Sequence, residues 1–344
     1  MTISSPKNIL VIRNDKLGDF MLAWPTFQCV RQLFPDATIY ALVPEYTSPM
    51  AEICPWIDEV VLDDSRKGLS GIVKTTSKIK KLNIDAALCL HSTPRIALAL
   101  FLAGIPQRFA PASRIDQIFY NHTLTQRRSR SEKPEYEYNT DLASFMARHY
   151  GVIGNYSLTP PLLSFPEEEI QRIRKQFYAD HKIAQNRKLV FVHAGSGGSA
   201  TNLSIEQYAE LINLLSKIPS LFFILTAGPG EEKLSRGLSE LIAGSNHAIY
   251  ISNKGLIEFT KTLSIASLFL SGSTGTLHVA GALNTPVAAF YPRRQSATAL
   301  RWQTLNTTEN RLAFSSMETS KENYFSIELS NVANSVEQHY FNNL

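Results

Sequence analysis

Polar residues stand between a short apolar run and a helix-like stretch at several points of this 344-residue chain. In LFLSGSTGTLHVAGALNTPVAAFYP (268–292), that junction is formed by Ser273, Thr274 and Gly275. Ser273 or Thr274 can cap the helix. The amides of Thr274, Gly275 and Thr276 would then face an anion, which the helix dipole favours. The segment predicts a cradle for a diphosphate, with a plain strand-to-helix turn as the alternative.

A second junction, VHAGSGGSATNLS (192–204), offers a run of small residues with accessible backbone amides. Such a loop can wrap a phosphate as a nest. Its candidate contacts are Ser196, Gly197 and Thr201. The alternative interpretation is a linker that leads to a helix capped by Ser204.

Two side chains could approach the same kind of ligand. Glu231, in TAGPGEEKL, opens a helix, where it either stabilises the helix dipole or reaches a ribose hydroxyl. His278 falls in the first turns of the helix that starts near Gly275, and we expect it on the side that faces the ligand. A single histidine on a helix more often serves in packing or lies at the surface.

The third junction, RNDKLGDFMLAWP (13–25), could carry out acid–base chemistry. The first apolar run ends in Arg13, and Asp19 opens the next helix-like stretch. A carboxylate in a first helical turn is stabilised by the dipole and by free amides. Asp19 is therefore either a structural first-turn acid or a general base.

The elements that position these residues follow from the apolar pattern. Near-continuous apolar runs, typical of parallel strands buried on both faces, alternate with amphipathic helical stretches. They predict an α/β protein of two Rossmann-like domains. The expected divisions are a first domain over 1–165, a linker over 166–187, a second domain over 188–325, and a terminal helix within 326–344 that could pack back on the first domain.

The composition narrows the function classes. The net charge is +4, which suits an anionic substrate or membrane surface, and the densest cationic cluster is QRRSRSEK (126–133). Cys29, Cys54 and Cys89 are widely spaced, so we expect neither zinc nor disulfides and predict a reducing cytoplasm. No apolar run approaches the roughly 20 residues of a membrane span, and no signal-peptide pattern opens the sequence.

At this point the segments, taken together, resemble the bacterial lipopolysaccharide heptosyltransferases, glycosyltransferase family 9. The resemblance rests on ILVIRNDKLGDFMLAWPTFQCVRQLFPDATIYALVPE, HAGSGG, GPGEE and STGTLHVAGALNTPVAAFYP, in that order. It implies a GT-B fold, in which two Rossmann-like domains face a cleft. It also implies metal-independent, inverting transfer from ADP-L-glycero-D-manno-heptose to the inner core, with no cofactor.

Carried over by position, the resemblance makes Asp19 the general base and assigns the ribose to Glu231. It assigns the diphosphate to the Thr274–Gly275 backbone, and His278 also matches a family position. The first domain would bind the acceptor and the second the nucleotide sugar. The chain departs from the family pattern in having Ser273 where an Asp is usual, and in lacking a Lys near Thr201–Ser204. Arg293, Arg294 or Arg301 could supply the missing cation.

The implied acceptor is the anionic lipopolysaccharide core with lipid A, so basic residues are expected on the first domain. The acceptor candidates are Arg13, Arg66, Lys67, Arg114, Arg127, Arg128 and Arg130. The protein would make peripheral contact with the inner face of the inner membrane, and nucleic acid is not among the expected partners. Two alternatives stay open: a related transferase with another nucleotide sugar, and a nucleotide-sugar-binding protein without catalysis.

Overall fold

The computed structural model describes residues 4–64, 68–112, 115–154, 156–195, 202–244, 246–316 and 325–342. The chain divides into two compact units, Met1–Thr159 and Pro160–Leu344. No helix in these described ranges is long and apolar enough to cross a membrane.

The first unit is a parallel six-stranded sheet covered by helices. Its strands are β1 (Asn8–Ile12), β2 (Thr38–Val43), β3 (Glu59–Leu62), β4 (Ala86–Cys89), β5 (Gln107–Pro111) and β6 (His122–Leu124). Its helices are α1 (Leu17–Met21), α2 (Trp24–Leu33), α3 (Ser48–Glu52), α4 (Leu69–Lys80), α5 (Pro94–Leu102) and α6 (Glu135–His149). The strand order is β3-β2-β1-β4-β5-β6, so the order reverses between β1 and β4.

The second unit repeats this architecture. Its strands are β7 (Lys188–His193), β8 (Leu221–Ala227), β9 (His247–Ile251), β10 (Leu268–Gly272), β11 (Val287–Tyr291) and β12 (Arg311–Ser315). Its helices are α7 (Glu167–Asp180), α8 (Ile205–Leu215), α9 (Glu232–Leu241), α10 (Leu256–Leu263), α11 (Gly275–Ala282) and α12 (Leu329–Tyr340). The parallel order β9-β8-β7-β10-β11-β12 is that of the first sheet, with the reversal between β7 and β10.

The central strands are buried on both faces, as their near-continuous apolar sequences predict. Every residue of Ile9–Ile12 and of Leu268–Gly272 is buried. The strands expected from the apolar runs are all present, and the predicted α/β class with two Rossmann-like domains is confirmed. The sequence analysis missed β5, β6 and β12, because these strands are short or partly exposed and lack a continuous apolar run.

The limits of the second unit differ from those expected. The division falls after Thr159, a few residues before the expected end of the first domain at 165. Helix α7, expected within a linker over 166–187, is part of the second unit: Phe177 packs against Phe191, with ring centroids 5.8 Å apart, and Glu169 pairs with Lys261 at 2.8 Å. Its charged sequence hides a narrow apolar stripe that binds it to the sheet.

The terminal helix α12 also belongs to the second unit. Its apolar face, formed by Leu329, Val332 and Val336, joins the core that contains Tyr208 and Phe290. Gln207 Nε2 donates to the carbonyl of Phe325 at 2.7 Å, which fixes the chain just before the helix. The sequence analysis allowed that this helix could pack back on the first domain, and the structure places its apolar face in the core of the second unit.

Candidate functional site

In the first unit the polar groups gather around one buried guanidinium. Arg13 directly follows β1 and is 3% exposed. Its Nε lies 2.8 Å from Asp15 Oδ1, its Nη1 lies 2.9 Å from Glu135 Oε1, and its Nη2 pairs with Asp19 Oδ1. The planar guanidinium presents its donors in fixed directions, so it holds three carboxylates in a defined arrangement.

The direction of the Asp19 side chain separates the two interpretations of this residue. Asp19 lies in the first turn of the short helix α1, and Lys16 occupies the N-cap position. The Asp19 carboxylate points to Arg13, whereas a purely local role would direct it to the amides of its own helix. The structure thus gives this acid a partner beyond the helix dipole.

Helix α6 completes the cluster and was missed in the sequence analysis. Glu135 and Asn139 lie one turn apart on its buried face, and both accept from Arg13 Nη1. Asn139 Nδ2 also donates to the carbonyl of Leu22 at 3.3 Å, which ties α6 to the end of α1. A signal was present: these two polar residues interrupt the otherwise apolar buried stripe of α6 that includes Tyr138 and Leu142.

The environment of Asp19 makes it more basic than an ordinary aspartate. Burial raises its pKa from 3.8 to about 6, and Arg13 opposes this by stabilising the ionised form. The nearby charges of Asp15 and Glu135 raise the pKa further. A carboxylate with a pKa of about 6 is ionised at neutral pH and still basic enough to accept a proton in a reaction.

The three arginines of the cationic loop differ in orientation and exposure. Arg128 turns inward, where its Nη1 donates to Glu135 Oε1 at 2.8 Å and to Asn139 Oδ1 at 3.3 Å. Arg127 is exposed, and so is Arg130, whose Nη1 lies 3.6 Å from Glu132. Arg128 therefore shares partners with Arg13, whereas Arg127 and Arg130 are exposed to solvent, where they could contact anions.

In the second unit, Glu231 stands at the N-cap of α9 and folds back over the end of β7. Its Oε2 accepts from the amide of Gly228 at 3.0 Å and lies 3.8 Å from His193 Nε2. A Cβ atom placed on Gly195 would lie 2.2 Å from Glu231 Oε1, so a side chain at 195 would displace the Glu231 carboxylate from this position. His193 is buried, which lowers its pKa, while the charge of Glu231 opposes that shift.

Asn202 joins the ends of β7 and β10 in the segment where a Lys was expected. Its Nδ2 donates to the carbonyl of Ala194 at 3.2 Å, and its Oδ1 accepts from the Tyr208 hydroxyl at 2.8 Å. A Cβ on Gly272 would meet the Asn202 side chain at 2.5 Å. The next residues begin α8 with a capping box between Ser204 and Gln207. This confirms the helix capped by Ser204 that the sequence predicts.

In the part of the chain that the structure describes, the start of α11 has no side-chain cap. Thr274 is the N-cap residue, but its hydroxyl lies 3.2 Å from Ser271 Oγ and 3.0 Å from Thr276 Oγ1, and it does not cap the first-turn amides of this described segment. The amides of Gly275 and Thr276 have no intrahelical acceptor, as at every helix N-terminus. Ser273 is partly exposed, and its amide donates to the carbonyl of Phe290 at 3.1 Å.

His278 lies deeper than expected. Its side chain is 2% exposed and meets the Trp302 ring edge-on, at 6.5 Å between centroids. Burial lowers its pKa to about 4, so the ring is neutral at physiological pH. Within the described residues, its Nδ1 is buried with no hydrogen-bond partner. The structure packs this ring against Trp302, and the expectation that it faces the ligand stays a prediction.

The remaining sequence candidates divide into two groups. Ser196, Gly197 and Thr201, and likewise Arg66, Lys67 and Arg114, lie outside the described residues. Arg293 and Arg294 are exposed after β11, and Arg301 is buried with its guanidinium 5.7 Å from the Trp302 ring centroid. Within the described ranges, no three His, Cys, Asp or Glu side chains are grouped so that they could hold a metal ion.

In each unit, the polar groups described above lie where the strand order of the sheet reverses. In the first unit they follow β1 and β4: Arg13 comes after β1, and the carbonyl of Leu90, after β4, accepts from Arg128. In the second unit they follow β7 and β10, with Gly195 after one strand and Thr274 after the other. Ligands of open α/β sheets bind at this position.

Comparison with known proteins agrees with this architecture. The sequence model of glycosyltransferase family 9 (heptosyltransferase) matches residues 146–326. The chain is 41% identical over 331 residues to a Haemophilus influenzae protein whose name, a glycosyltransferase assigned provisionally, specifies neither donor nor acceptor; the match covers 96% of this chain and 95% of that one. The chain therefore belongs to glycosyltransferase family 9 and is a glycosyltransferase.

More distant similarities connect the chain to heptosyltransferases. It is 21% identical over 294 residues to lipopolysaccharide heptosyltransferase 2 of Escherichia coli, covering 82% of each chain. The structure of E. coli ADP-heptose LPS heptosyltransferase II superposes with a TM-score of 0.74, at 18% identity, over 98% of this chain and 99% of that one. This likeness confirms the expected GT-B fold.

The Arg13 cluster predicts a strong dependence of stability on Glu135, whose side chain is 2% exposed. Glu135→Gln removes the carboxylate shared by Arg13 and Arg128, so the buried Arg13 keeps Asp15 and Asp19 but loses its most deeply buried carboxylate partner. We expect the free energy of unfolding of the first unit to fall by about 3–5 kcal/mol. The measurement is chemical denaturation followed by intrinsic fluorescence.

The matched control is Glu137→Gln, which removes a partly exposed carboxylate from the same first turn of α6. It keeps the dipole contribution comparable and should change stability by less than about 1 kcal/mol. Equal effects of the two substitutions would contradict a cluster organised around Arg13.

Proposed function

We propose that this chain is an inverting glycosyltransferase that moves a heptose from ADP-L-glycero-D-manno-heptose to the inner core of lipopolysaccharide or lipooligosaccharide, with Asp19 as the general base. The observation that carries the proposal is the Asp19 carboxylate, held by Arg13 and with a pKa raised to about 6. The heptose donor and a lipopolysaccharide acceptor are supported by the names of the E. coli relatives.

The proposed step is a single displacement. The Asp19 carboxylate takes the proton of an acceptor hydroxyl, and the freed oxygen forms a bond to the anomeric carbon of the heptose. The bond between that carbon and the ADP oxygen breaks, and its electron pair leaves with the diphosphate. Attack from the side opposite the leaving group inverts the configuration, and no covalent enzyme intermediate forms.

Arg13 acts on this step through Asp19 and is a positioning residue. By pairing with Asp19 it fixes the direction of the carboxylate and keeps it ionised at neutral pH. Glu135 and Asn139 fix Arg13 in turn, because both accept from the same Nη1. A base held by a buried network loses little entropy when it meets its substrate, which suits a catalytic group.

The second unit would bind the nucleotide. The amides of Gly275 and Thr276 and the dipole of α11 would stabilise the negative charge that develops on the leaving diphosphate. Glu231 lies next to Gly195 and Gly228 at the same end of the sheet, and its carboxylate would accept from a ribose hydroxyl once it moves off the Gly228 amide. No metal is needed in this scheme.

The acceptor would meet the first unit. Its phosphates and acidic sugars suit the exposed Arg127 and Arg130, and Arg66 and Arg114 are further candidates by sequence. We place Arg128 among the residues that support the site, because its donors are turned toward Glu135 and Gln126. Since the acceptor is linked to lipid, the protein would work in the cytoplasm at the inner face of the inner membrane.

The first test of the proposed base is a pair of substitutions. Asp19→Asn should lower turnover with ADP-heptose and a heptose-deficient core by about 10²–10⁴-fold, because the amide cannot accept the proton. ADP affinity should not change. Asp15→Asn is the matched control, because it also removes a carboxylate that contacts Arg13. Near-normal turnover in Asp19→Asn, or equal losses in both variants, would contradict the assignment.

A second prediction concerns pH. Asp19 must be deprotonated to act as a base, and the deprotonated fraction falls as the pH drops through its pKa. We therefore expect kcat/KM to decline below a pH of about 6. Glu135→Gln should move this decline to lower pH, because it removes a negative charge that raises the Asp19 pKa. A decline near pH 4, as for an ordinary carboxyl group, would count against the proposed environment.

A third prediction concerns the cradle at α11. Gly275→Val adds a branched side chain where the diphosphate would approach, at a helix-propensity cost below about 1 kcal/mol. ADP affinity, measured by calorimetric titration, should fall at least about tenfold while the melting temperature changes little. Gly237→Val in α9 is the control, since a Cβ there makes only an ordinary 3.7 Å contact with Ile205. Unchanged ADP affinity in folded Gly275→Val would show that the segment is only a strand-to-helix turn and does not bind the diphosphate.

A further inference from the structure

Six exposed apolar side chains of the first unit lie on three neighbouring elements, whereas Ile153 and Tyr46, which are also exposed, lie elsewhere. Ile115 is 82% exposed, Leu69 78%, Ile118 73% and Val73 63%. Phe101 and Leu102 are exposed by about half. These six residues, called the apolar layer below, lie on α4, α5 and the 3₁₀ turn Ile115–Phe119.

The three elements of the apolar layer are neighbours. Helix α5 packs against α4 on one side and against the 3₁₀ turn on the other. Thr76 of α4 donates to the carbonyl of Ala99 in α5 at 3.4 Å, and the rings of Phe101 and Phe119 lie 5.7 Å apart. Soluble proteins rarely leave so many large apolar side chains exposed on adjacent elements without a binding function.

The charged residues of the segment that contains α4 have one sign, although the partly exposed Asp64 comes just before it. The sequence from 65 to 84 contains no Asp or Glu, and its cations are Arg66, Lys67, Lys74, Lys78, Lys80 and Lys81. Four of the five lysines, Lys74, Lys78, Lys80 and Lys81, are exposed on α4 and just after it. The acids Asp63 and Asp116 point inward, where Asp63 pairs with Arg95 and Asp116 accepts from Ser92. The exposed surface of α4 thus combines aliphatic and cationic side chains.

This combination of aliphatic and cationic side chains fits a membrane surface better than it fits an interface with another protein. Protein interfaces are depleted in lysine and enriched in Tyr, Trp and Arg. A second copy of the chain would bring like charges together on α4. Aliphatic side chains beside lysines instead match an anionic phospholipid surface, where the apolar groups enter the acyl boundary and the ammonium groups meet the phosphates.

The position of the layer relates it to Asp19. Leu69 opens α4 after the carboxyl end of β3, and Ile115 opens the 3₁₀ turn after the carboxyl end of β5. Arg13 and Asp19 follow the carboxyl end of β1 in the same parallel sheet. Leu69 and Ile115, the two most exposed residues of the apolar layer, therefore lie at the edge of the sheet that carries the proposed base.

We propose that the apolar layer, with the lysines of α4, is the surface by which this protein binds an anionic phospholipid membrane. The inference deepens the proposed function and rests on it for its purpose, since a lipid-linked acceptor would then lie beside the edge that carries Asp19. The binding itself requires neither donor nor transfer, so it is testable alone.

The experiment is co-sedimentation of the full chain with vesicles. Wild type should bind vesicles that contain phosphatidylglycerol, bind phosphatidylcholine vesicles weakly, and lose binding as salt is raised. The triple variant Leu69→Ser, Ile115→Ser and Ile118→Ser should bind at least about tenfold more weakly, because it removes the inserted apolar groups. The double variant Lys74→Gln and Lys80→Gln should lose the preference for anionic lipid.

Matched controls lie in the second unit. Leu241→Ser and Leu300→Ser remove side chains exposed to 44% and 46%, and Lys175→Gln removes an exposed helical lysine. These variants should bind like wild type, and the layer variants should keep their melting temperatures and their transfer to a lipid-free acceptor. Failure of transfer in wild type with vesicle binding intact would refute the proposed function alone.

Three results would overturn the membrane inference. The first is wild type that does not bind anionic vesicles, and the second is a triple variant that binds them like wild type. The third is self-association of wild type that the triple variant abolishes, without vesicle binding, which would assign the layer to a second copy of the chain.

Discussion

The buried guanidinium of Arg13 is the interaction on which the first site depends. A cation at 3% exposure is stable only when carboxylates and further acceptors surround it, so Arg13 draws Asp15, Asp19 and Glu135 to one point. These residues come from the loop after β1, from α1 and from α6, and their pairing thereby fixes three segments. The burial that makes the cluster costly also raises the pKa of Asp19. One arrangement therefore accounts for local structure and for a carboxylate suited to proton transfer.

The two units have the same sheet topology but carry different residues at the same position of the sheet. In each, polar groups collect where the strand order reverses, after β1 and β4 in one unit and after β7 and β10 in the other. The first unit fills this position with charged side chains, which suits acid–base chemistry. The second fills it with glycines, hydroxyls and a helix N-terminus, which suits an anionic ligand. The proposed transfer needs both, a base for the acceptor and a cradle for the leaving diphosphate.

The sequence predicts the parts of the fold that periodicity controls. The central strands have continuous apolar runs, whereas β6 has three residues and β12 is half exposed, so these edges leave little pattern. Asp19 and Arg13 were identifiable from their positions after a strand. Glu135 left a signal in the pattern of α6, but its pairing with Arg13 could not be predicted, because the contact spans 122 positions of the chain. Arg128 was grouped with its exposed neighbours, and only tertiary structure shows that it turns inward. The close approach of Asn202 to Gly272 could not be predicted either, because it forms only when β10 lies beside β7 in the sheet.

The most direct measurement is the stereochemistry and mass of the product. The full chain is incubated with ADP-heptose and a heptose-deficient core. The mass of the acceptor product is measured by mass spectrometry, and the released ADP is quantified. The anomeric configuration of the new linkage is determined by NMR. Direct attack by an acceptor that Asp19 has deprotonated predicts one added heptose for each ADP released, with inverted anomeric configuration. Retained configuration, or transfer from a different nucleotide sugar and none from ADP-heptose, would contradict the account.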